Sequence, residues 1–275
     1  TYYDTDVQDR LRGTLETLKE FRTDWDADAP LAVLNPYGTG SNGLYLYFTT
    51  DYATKISYKI SVEDDSILDY SAVARDSSAK EYTKEHEFQI IGLVPGKTNK
   101  VTMTMTGTWG NVRKKVSFEI TMPENKSGYP TQLEYTQGES VEGLSDGLYA
   151  MMRTNGYLGY GFFFDNEGVM RYEMVLEGYG LDRILDQGDG TIWTCVSSSK
   201  LARMDGVGRV IQTYSLDGYQ LHHDIQPAKE GKILALAEHE DTANVEDLVL
   251  EIDLKSGEVT ELLDFKKIMN EYYEQ

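Results

Sequence analysis

Lys55-Ile56-Ser57-Tyr58-Lys59-Ile60-Ser61-Val62 alternates polar and apolar residues at every step, and this stretch decides the fold of the first half of the chain. Such alternation is typical of a β-strand with one buried face. The same pattern recurs at 101–105 and 116–120, with turn-forming residues between the segments. Several short strands with no helix between them predict an immunoglobulin-like β-sandwich over residues 28–122.

Residues 6–25 carry a helical pattern instead. Its large apolar residues include Leu11, Leu15, Leu18, Phe21 and Trp25. They recur at steps of three and four, which places them on one face of a helix. Thr5 or Asp6 is expected to cap the first turn by accepting backbone N–H bonds. We expect residues 1–27 to form a helical arm that packs against the next domain.

Residues 141–275 contain a repeat. The pattern Asp…Gly…Val occurs three times, with its glycines at Gly168, Gly208 and Gly257, at steps of 40 and 49 residues. A period of about 40–50 residues is typical of β-propeller blades, in which this pattern is expected between the two outer strands. The segment holds between two and three blades, fewer than a closed ring needs, so we expect a fragment with an incomplete propeller. Residues 123–140, which contain proline and glycine, are expected to form a linker.

Composition restricts the function. The 275 residues include 26 Lys and Arg against 46 Asp and Glu, which gives a formal net charge of −20. Such a surface repels phosphate backbones and anionic lipids, so nucleic-acid binding and a membrane-surface role are not expected. No apolar run approaches the ~18 residues of a membrane span. The first residues do not form a signal-peptide pattern, so we expect a chain that is cytoplasmic or already processed. The single cysteine, Cys195, leaves no internal disulfide or thiolate zinc cluster.

Three weak motifs are interpreted as structural. Gly92-Leu93-Val94-Pro95-Gly96-Lys97-Thr98 looks like a phosphate-binding loop, but it is one residue short and a strand pattern follows it, so we expect a turn. His86 and His239 lie in acidic stretches without a second histidine at metal-ligand spacing. We expect His86 to pack in or on the sandwich and His239 to lie in a loop.

Leu221-His222-His223-Asp224-Ile225 is the strongest candidate site, because two of the four histidines are adjacent and an acid follows them. The motif is expected on the inner strand of a blade, where neighbouring side chains point to opposite faces and one imidazole reaches the central funnel. The other imidazole or Asp224 would orient that ring. Catalysis or anion contact is favoured, while a structural corner and a metal site that needs a further ligand stay open. Tyr219 is expected to stack on an aromatic ligand.

Several motifs in both halves point to one family. They are Asn35-Pro36-Tyr37-Gly38, His86-Glu87-Phe88, residues 92–101, residues 164–172 and His222-His223-Asp224-Ile225. With these motifs the sequence resembles the bacterial arylsulfate sulfotransferase family over nearly its whole length. The resemblance implies an N-terminal sandwich followed by a six-bladed propeller. It also implies transfer of a sulfuryl group from an aryl sulfate to a phenol, without a nucleotide donor or cofactor, through a sulfated histidine in a ping-pong mechanism.

The resemblance assigns His222, His223 and Asp224 to the part of the family's site that contacts sulfate. The sulfated histidine, another sulfate-binding histidine and an arginine lie in later blades of the family, so the chain is expected to lack its nucleophile and to be inactive alone. The implied partners are an aryl sulfate donor and a phenolic acceptor. Because members of the family are exported, the implied location is periplasmic or extracellular.

Two other interpretations stay open. The first is an extracellular sandwich–propeller module that binds a ligand without turnover. In that case the later blades would lack further channel histidines, whereas an enzyme would have them. The second is an assembly in which two incomplete propellers share a ring as a homodimer, or in which this chain associates with a C-terminal half.

Overall fold

The chain begins with a helix. The computed structural model describes residues 1–134, 136, 138–139, 143–240 and 247–269. Helix α1 spans Thr5–Glu20, so it is shorter than the predicted helical segment of residues 6–25. Phe21 lies beyond the end of the helix, and 88% of its surface is exposed. The N-cap residue is Asp4, whose carboxylate binds the N-terminal amine. The prediction that Thr5 or Asp6 caps the helix is therefore wrong.

Six strands follow α1 and form the sandwich. They are β1 (Leu31–Leu34), β2 (Leu44–Val62), β3 (Tyr70–Val73), β4 (Thr83–Ile90), β5 (Thr98–Gly107) and β6 (Val112–Thr121). The first half of β2 pairs with β1 and β4, its second half pairs with β3 and β5, and the register shifts between Thr49 and Thr54. Ile56, Tyr58 and Ile60 are buried in the core, which confirms the alternation predicted for this stretch.

Three antiparallel sheets follow the sandwich. The first sheet contains β7 (Tyr149–Thr154), β8 (Gly159–Phe164) and β9 (Met170–Leu176). The second sheet contains β10 (Leu185–Asp186), β11 (Ile192–Ser197), β12 (Lys200–Met204) and β13 (Val210–Ser215). The third sheet contains β14 (Tyr219–Pro227), β15 (Lys232–His239), β16 (Leu248–Asp253) and β17 (Val259–Asp264), and the short helix α2 (Phe265–Ile268) follows it. Within the described ranges the sheets do not close a ring, so the predicted all-β fold with an incomplete propeller is confirmed. None of the described helices is long and apolar enough to cross a membrane.

The repeated pattern lies at equivalent turns. These turns join β8 to β9, β12 to β13 and β16 to β17, which are the last two strands of each sheet, as predicted. In each turn the Oδ1 atom of the aspartate, which is Asp165, Asp205 or Asp253, accepts two backbone N–H bonds of 2.8–3.1 Å from its own turn. The repeat therefore reflects turn chemistry rather than a ligand site.

Helix α1 touches both halves of the molecule. Leu15 is buried in a cluster with Tyr45 of β2 and Val207 of the turn after β12. Gln8 is fully buried, and its Oε1 atom accepts the backbone N–H of Val210 at 3.1 Å. The arm thus packs between the sandwich and the second sheet.

The sandwich is joined to the first sheet by buried hydrogen bonds. The backbone N–H of Ser41 donates to the carbonyl of Glu173 on β9 at 3.1 Å. The side chain of Asn42 is buried, and its Nδ2 atom donates to the carbonyl of Leu93 at 2.8 Å while its Oδ1 atom accepts the N–H of Glu173 at 2.9 Å. Residues next to the Asn35–Gly38 motif therefore hold the two halves together.

Arg171 on β9 makes the second part of this junction. Its guanidinium is buried, with Nε 2.5 Å from the carboxylate of Asp165 and Nη2 donating to the carbonyl of Leu68 at 2.7 Å. Nη1 donates to the carbonyl of Gly92 at 3.3 Å. Gly92 has a φ of +103°, and a Cβ atom there would strike the ring of Tyr70, so only glycine suits this position.

The weak motifs of the sandwich are structural, as predicted. The 92–98 stretch turns directly into β5, and the buried Asn99 side chain bonds both the N–H and the carbonyl of Val94, at 2.8 and 3.0 Å. His86 is buried in the sandwich, with Nε2 3.0 Å from the hydroxyl of Thr54.

Candidate active site

The two adjacent histidines lie on an irregular part of β14. Leu221 pairs with Ala237 and Ile225 pairs with Ala235, so the three residues between them face a single residue of β15. His223 has a φ of +62°, in the left-handed region. Such a bulge changes the direction of side chains, so the alternation of faces expected for neighbouring residues does not apply here. The two imidazole centroids are 6.0 Å apart, which keeps both rings in one site.

His222 lies against a carboxylate. Its Nε2 atom is 3.1 Å from Oε1 of Glu238 on β15, and both side chains are mostly buried, with 20% and 16% exposed. The two atoms are within ion-pair distance but do not meet in hydrogen-bond geometry. A carboxylate this close can restrain the direction of an imidazole, so Glu238 is a candidate positioning residue for His222.

Asp224 links the third sheet to the second. It accepts a bidentate ion pair from Arg183, with Nε 2.7 Å from Oδ1 and Nη2 3.2 Å from Oδ2. Gln226 donates to Oδ2 as well, and the hydrogen bonds from Arg183 hold the pKa of Asp224 below its ordinary value. The carboxylate thus holds the guanidinium of Arg183, which is a different role from orienting a ring.

Asp182 and Cys195 complete the surroundings of the histidines. Burial raises the pKa of Asp182, while the Cys195 thiol and the charges of His222 and His223 oppose that rise. Burial also raises the pKa of the Cys195 thiol well above its ordinary value, helped by Asp182. This burial favours the protonated thiol over the thiolate, which is the reactive form.

Tyr219 lies apart from the histidine pair. Its hydroxyl donates to Glu261 at 2.9 Å, and its ring stacks on His239 with centroids 5.2 Å apart. Tyr219 pairs across the strands with His239, whereas the next pair, Gln220 and Glu238, lies on the opposite face of the sheet. His239 is the last residue of β15, so its predicted loop position is wrong.

Sequence reasoning missed Arg183, Asp182 and Glu238. Arg183 precedes Asp224 by 41 residues, which is about one repeat, so the two residues occupy related positions in neighbouring sheets. The repeat length could therefore have pointed to Arg183 before the structure was known. Glu238 carries no such signal, because its place opposite the bulge depends on the register of β15. Across the described ranges there is no group of three or more side chains that could hold a metal ion.

The architecture and this site define a class of protein: an immunoglobulin-like sandwich followed by blade-like sheets, with polar side chains gathered where neighbouring sheets meet. Two family models match the chain. The arylsulfotransferase Ig-like domain matches residues 31–123, and the arylsulfotransferase (ASST) model matches residues 134–275. The chain therefore belongs to the arylsulfotransferase family, which confirms the resemblance and supports aryl sulfotransferase function in general. No match was found among curated proteins.

Proposed function

We propose that this chain is the N-terminal part of an enzyme that moves a sulfuryl group from an aryl sulfate to a phenol without a nucleotide donor. The observation that carries the proposal is the pair of imidazoles on the β14 bulge, with Glu238 against His222, and with Arg183 paired to Asp224, the residue that follows the two histidines. Imidazole and guanidinium groups are suitable donors to the oxygens of a sulfate ester.

The chemistry follows a ping-pong course in this proposal. In the first step the bond between sulfur and the phenolic oxygen breaks, a bond between sulfur and a histidine nitrogen forms, and the phenolate leaves with a proton. In the second step the oxygen of a new phenol forms a bond to sulfur, the bond between sulfur and the histidine nitrogen breaks, and the phenol's proton passes to the imidazole base that protonated the first phenolate. By analogy with phosphoryl transfer, charge spreads over the sulfuryl oxygens in a loose transition state, so the protein must position the reactants and donate hydrogen bonds.

His222 and His223 are proposed to contact the sulfate and to protonate the leaving phenolate. Following the family resemblance, the nucleophilic histidine is placed outside residues 1–275. The carboxyl groups of Asp182, Asp224 and Glu238 surround the histidine pair, so a sulfate here needs positive charge from protonated imidazole and from outside these residues. Tyr219 lies on the other face of the sheet, so it is proposed to contact an aryl group only outside this sulfate site.

The remaining expectations are proposals of the same kind. The boundaries 1–27, 28–122, 123–140 and 141–275 are proposed as arm, sandwich, linker and partial propeller. A periplasmic or extracellular location is proposed from the family alone. Association with a C-terminal half, or with a second copy, is proposed as the way in which the ring is completed.

The test is sulfuryl transfer by the full-length protein, from 4-nitrophenyl sulfate to phenol with no nucleotide added. His222→Ala and His223→Ala are each expected to lower the transfer rate by roughly 100-fold or more, because acid–base groups contribute on that scale. Glu238→Gln is expected to lower it less, since the ring remains and only its orientation weakens. His239→Ala is the matched control and should leave the rate nearly unchanged.

Two results would count against the proposal. Unchanged transfer in both histidine variants would remove His222 and His223 from the site. Binding of aryl sulfate without transfer, and without any gain of a sulfuryl group in the intact mass, would favour the ligand-binding module instead.

A further inference from the structure

A cavity lies away from the histidines, between the sandwich and the first two propeller sheets. Its volume is about 590 Å³, within the range typical of small-molecule sites. Strand β3 forms one wall, and residues of β9, β11 and β12 form the others. None of His222, His223 and Asp224 lines it, so the cavity is distinct from the candidate active site.

The walls of this interdomain cavity are mainly aromatic and aliphatic. Tyr58 and Tyr70 come from the sandwich, while Phe163 and Tyr172 come from the first sheet. The rings of Phe163 and Tyr172 are 5.8 Å apart, and both residues keep accessible surface although they lie between packed sheets. The Arg171 guanidinium lies 5.1 Å from the centroid of the Tyr70 ring and fixes that wall. Aromatic walls of this kind favour a flat aromatic ligand.

Arg75 supplies a positive charge to the same cavity. It lies just beyond β3, its side chain is exposed, and it makes no ion pair with any residue that the structure describes. An arginine without a carboxylate partner is notable in a chain with a net charge of −20. Asp205 also lines the cavity, and its Oδ1 atom accepts the N–H groups of Val207 and Arg209.

We infer that the interdomain cavity binds an aromatic monoanion, with the ring system between the tyrosine and phenylalanine walls and the anionic group on Arg75. The ring loses water contact inside the cavity, while the anionic group stays at the rim where it is solvated. A ligand with two fused rings fits the available volume. The inference concerns binding alone and does not depend on sulfuryl transfer at the histidines.

The probe is naphthalene-2-sulfonate, because its carbon–sulfur bond cannot take part in sulfuryl transfer. Calorimetric titration of the 275-residue chain is expected to show a site that remains when His222 is replaced by alanine. Arg75→Met should weaken binding by at least about tenfold, the scale of one charge-assisted hydrogen bond. Arg113→Met is the matched control, since Arg113 lies over the Tyr52 ring elsewhere in the sandwich. It should bind the probe as the unchanged chain does.

Two further variants fill the cavity from opposite walls. Val73→Trp adds volume from the exposed edge strand β3, and Gly206→Phe adds it from the second sheet. A Cβ at residue 206 meets only the carbonyl oxygens of Arg75 and Gly190, at 3.9 and 4.0 Å, so a side chain can be placed there. Each variant is expected to abolish binding while far-ultraviolet circular dichroism shows an unchanged β fold.

The outcomes separate this site from the active site. The inference is supported if His222→Ala binds the probe as tightly as the unchanged chain does, while Arg75→Met and either filled variant lose binding. This holds even if no sulfuryl transfer is found. Absence of binding in the unchanged chain would overturn it. Equal binding by Arg75→Met, loss of binding in His222→Ala, or equal affinity for neutral 2-naphthol would also overturn it.

Discussion

At the scale of single residues, burial separates a histidine that stabilises the fold from those of the candidate site. His86 is 1% exposed, and its Nε2 atom contacts the hydroxyls of Thr50 and Thr54 at 3.2 and 3.0 Å. Burial lowers the pKa of His86 below its ordinary value of 6.5, and Asp76 offsets part of that effect. The imidazole is therefore held in its neutral form.

This burial predicts a pH dependence of stability. A histidine with a lowered pKa in the folded state binds protons less readily than it does in the unfolded chain, so the free energy of unfolding falls as the pH drops below about 6.5. His86→Gln removes that titration. Between about pH 7.5 and about pH 5.5, urea unfolding should show a smaller loss of stability in His86→Gln than in the unchanged chain. Equal losses in both proteins would contradict the prediction.

At the scale of elements, the bulge in β14 is what brings His222 and His223 together. In a regular strand, neighbouring side chains point to opposite faces of the sheet. In the bulge, three residues of β14 lie opposite one residue of β15, so this alternation is interrupted. The cost is the left-handed backbone of His223, at a φ of +62°. Strained backbone of this kind is found more often at functional sites, where the surrounding structure holds the required geometry despite its energetic cost.

A pair of variants at residue 223 tests the strain. His223→Gly and His223→Ala both remove the imidazole, but only glycine adopts a positive φ without a steric cost. His223→Gly should therefore be more stable than His223→Ala by about 1 kcal/mol in urea unfolding, with equal loss of sulfuryl transfer. In a regular strand the order would be reversed, because glycine is the weaker strand former. Finding alanine to be the more stable variant would therefore refute the strained backbone.

At the scale of the whole molecule, buried polar contacts join the sandwich to the first propeller sheet. The buried side chains of Asn42 and Arg171 bond backbone groups across this junction, and Arg171 also pairs with the carboxylate of Asp165 in a turn of its own sheet. Breaking a buried ion pair leaves its partner charge uncompensated, which costs far more than losing an exposed pair.

Arg171→Met is expected to lower the free energy of unfolding by about 3–5 kcal/mol, because the Asp165 carboxylate and two carbonyls lose their partner. Arg203→Met is the control, since the side chains of Arg203 and Asp189 are 29% and 52% exposed, and the loss of this solvated pair should change stability much less. Thermal and urea unfolding of both variants would measure the difference. Similar small losses in the two would show that the junction contributes little.

Much of the architecture was accessible from the sequence because it depends on local patterns. The alternation around Ile56, Tyr58 and Ile60 requires one buried face, whatever the partner strands are. The aspartate and glycine of each repeat encode a turn by themselves, so the last two strands of each sheet could be placed. The histidine pair was visible as a candidate for the same reason, since its residues are adjacent in the chain.

The tertiary structure alone decided the rest, because it depends on contacts between residues distant in sequence. The bulge that sets His223, the register that places Glu238 against His222 and the ion pair of Arg183 with Asp224 follow from pairing between strands and sheets. The cavity at Arg75 exists only where the sandwich meets the first two propeller sheets. A local sequence pattern determines which face of an element is buried. The geometry of a site depends also on which other element that face packs against, and the local pattern does not contain this information.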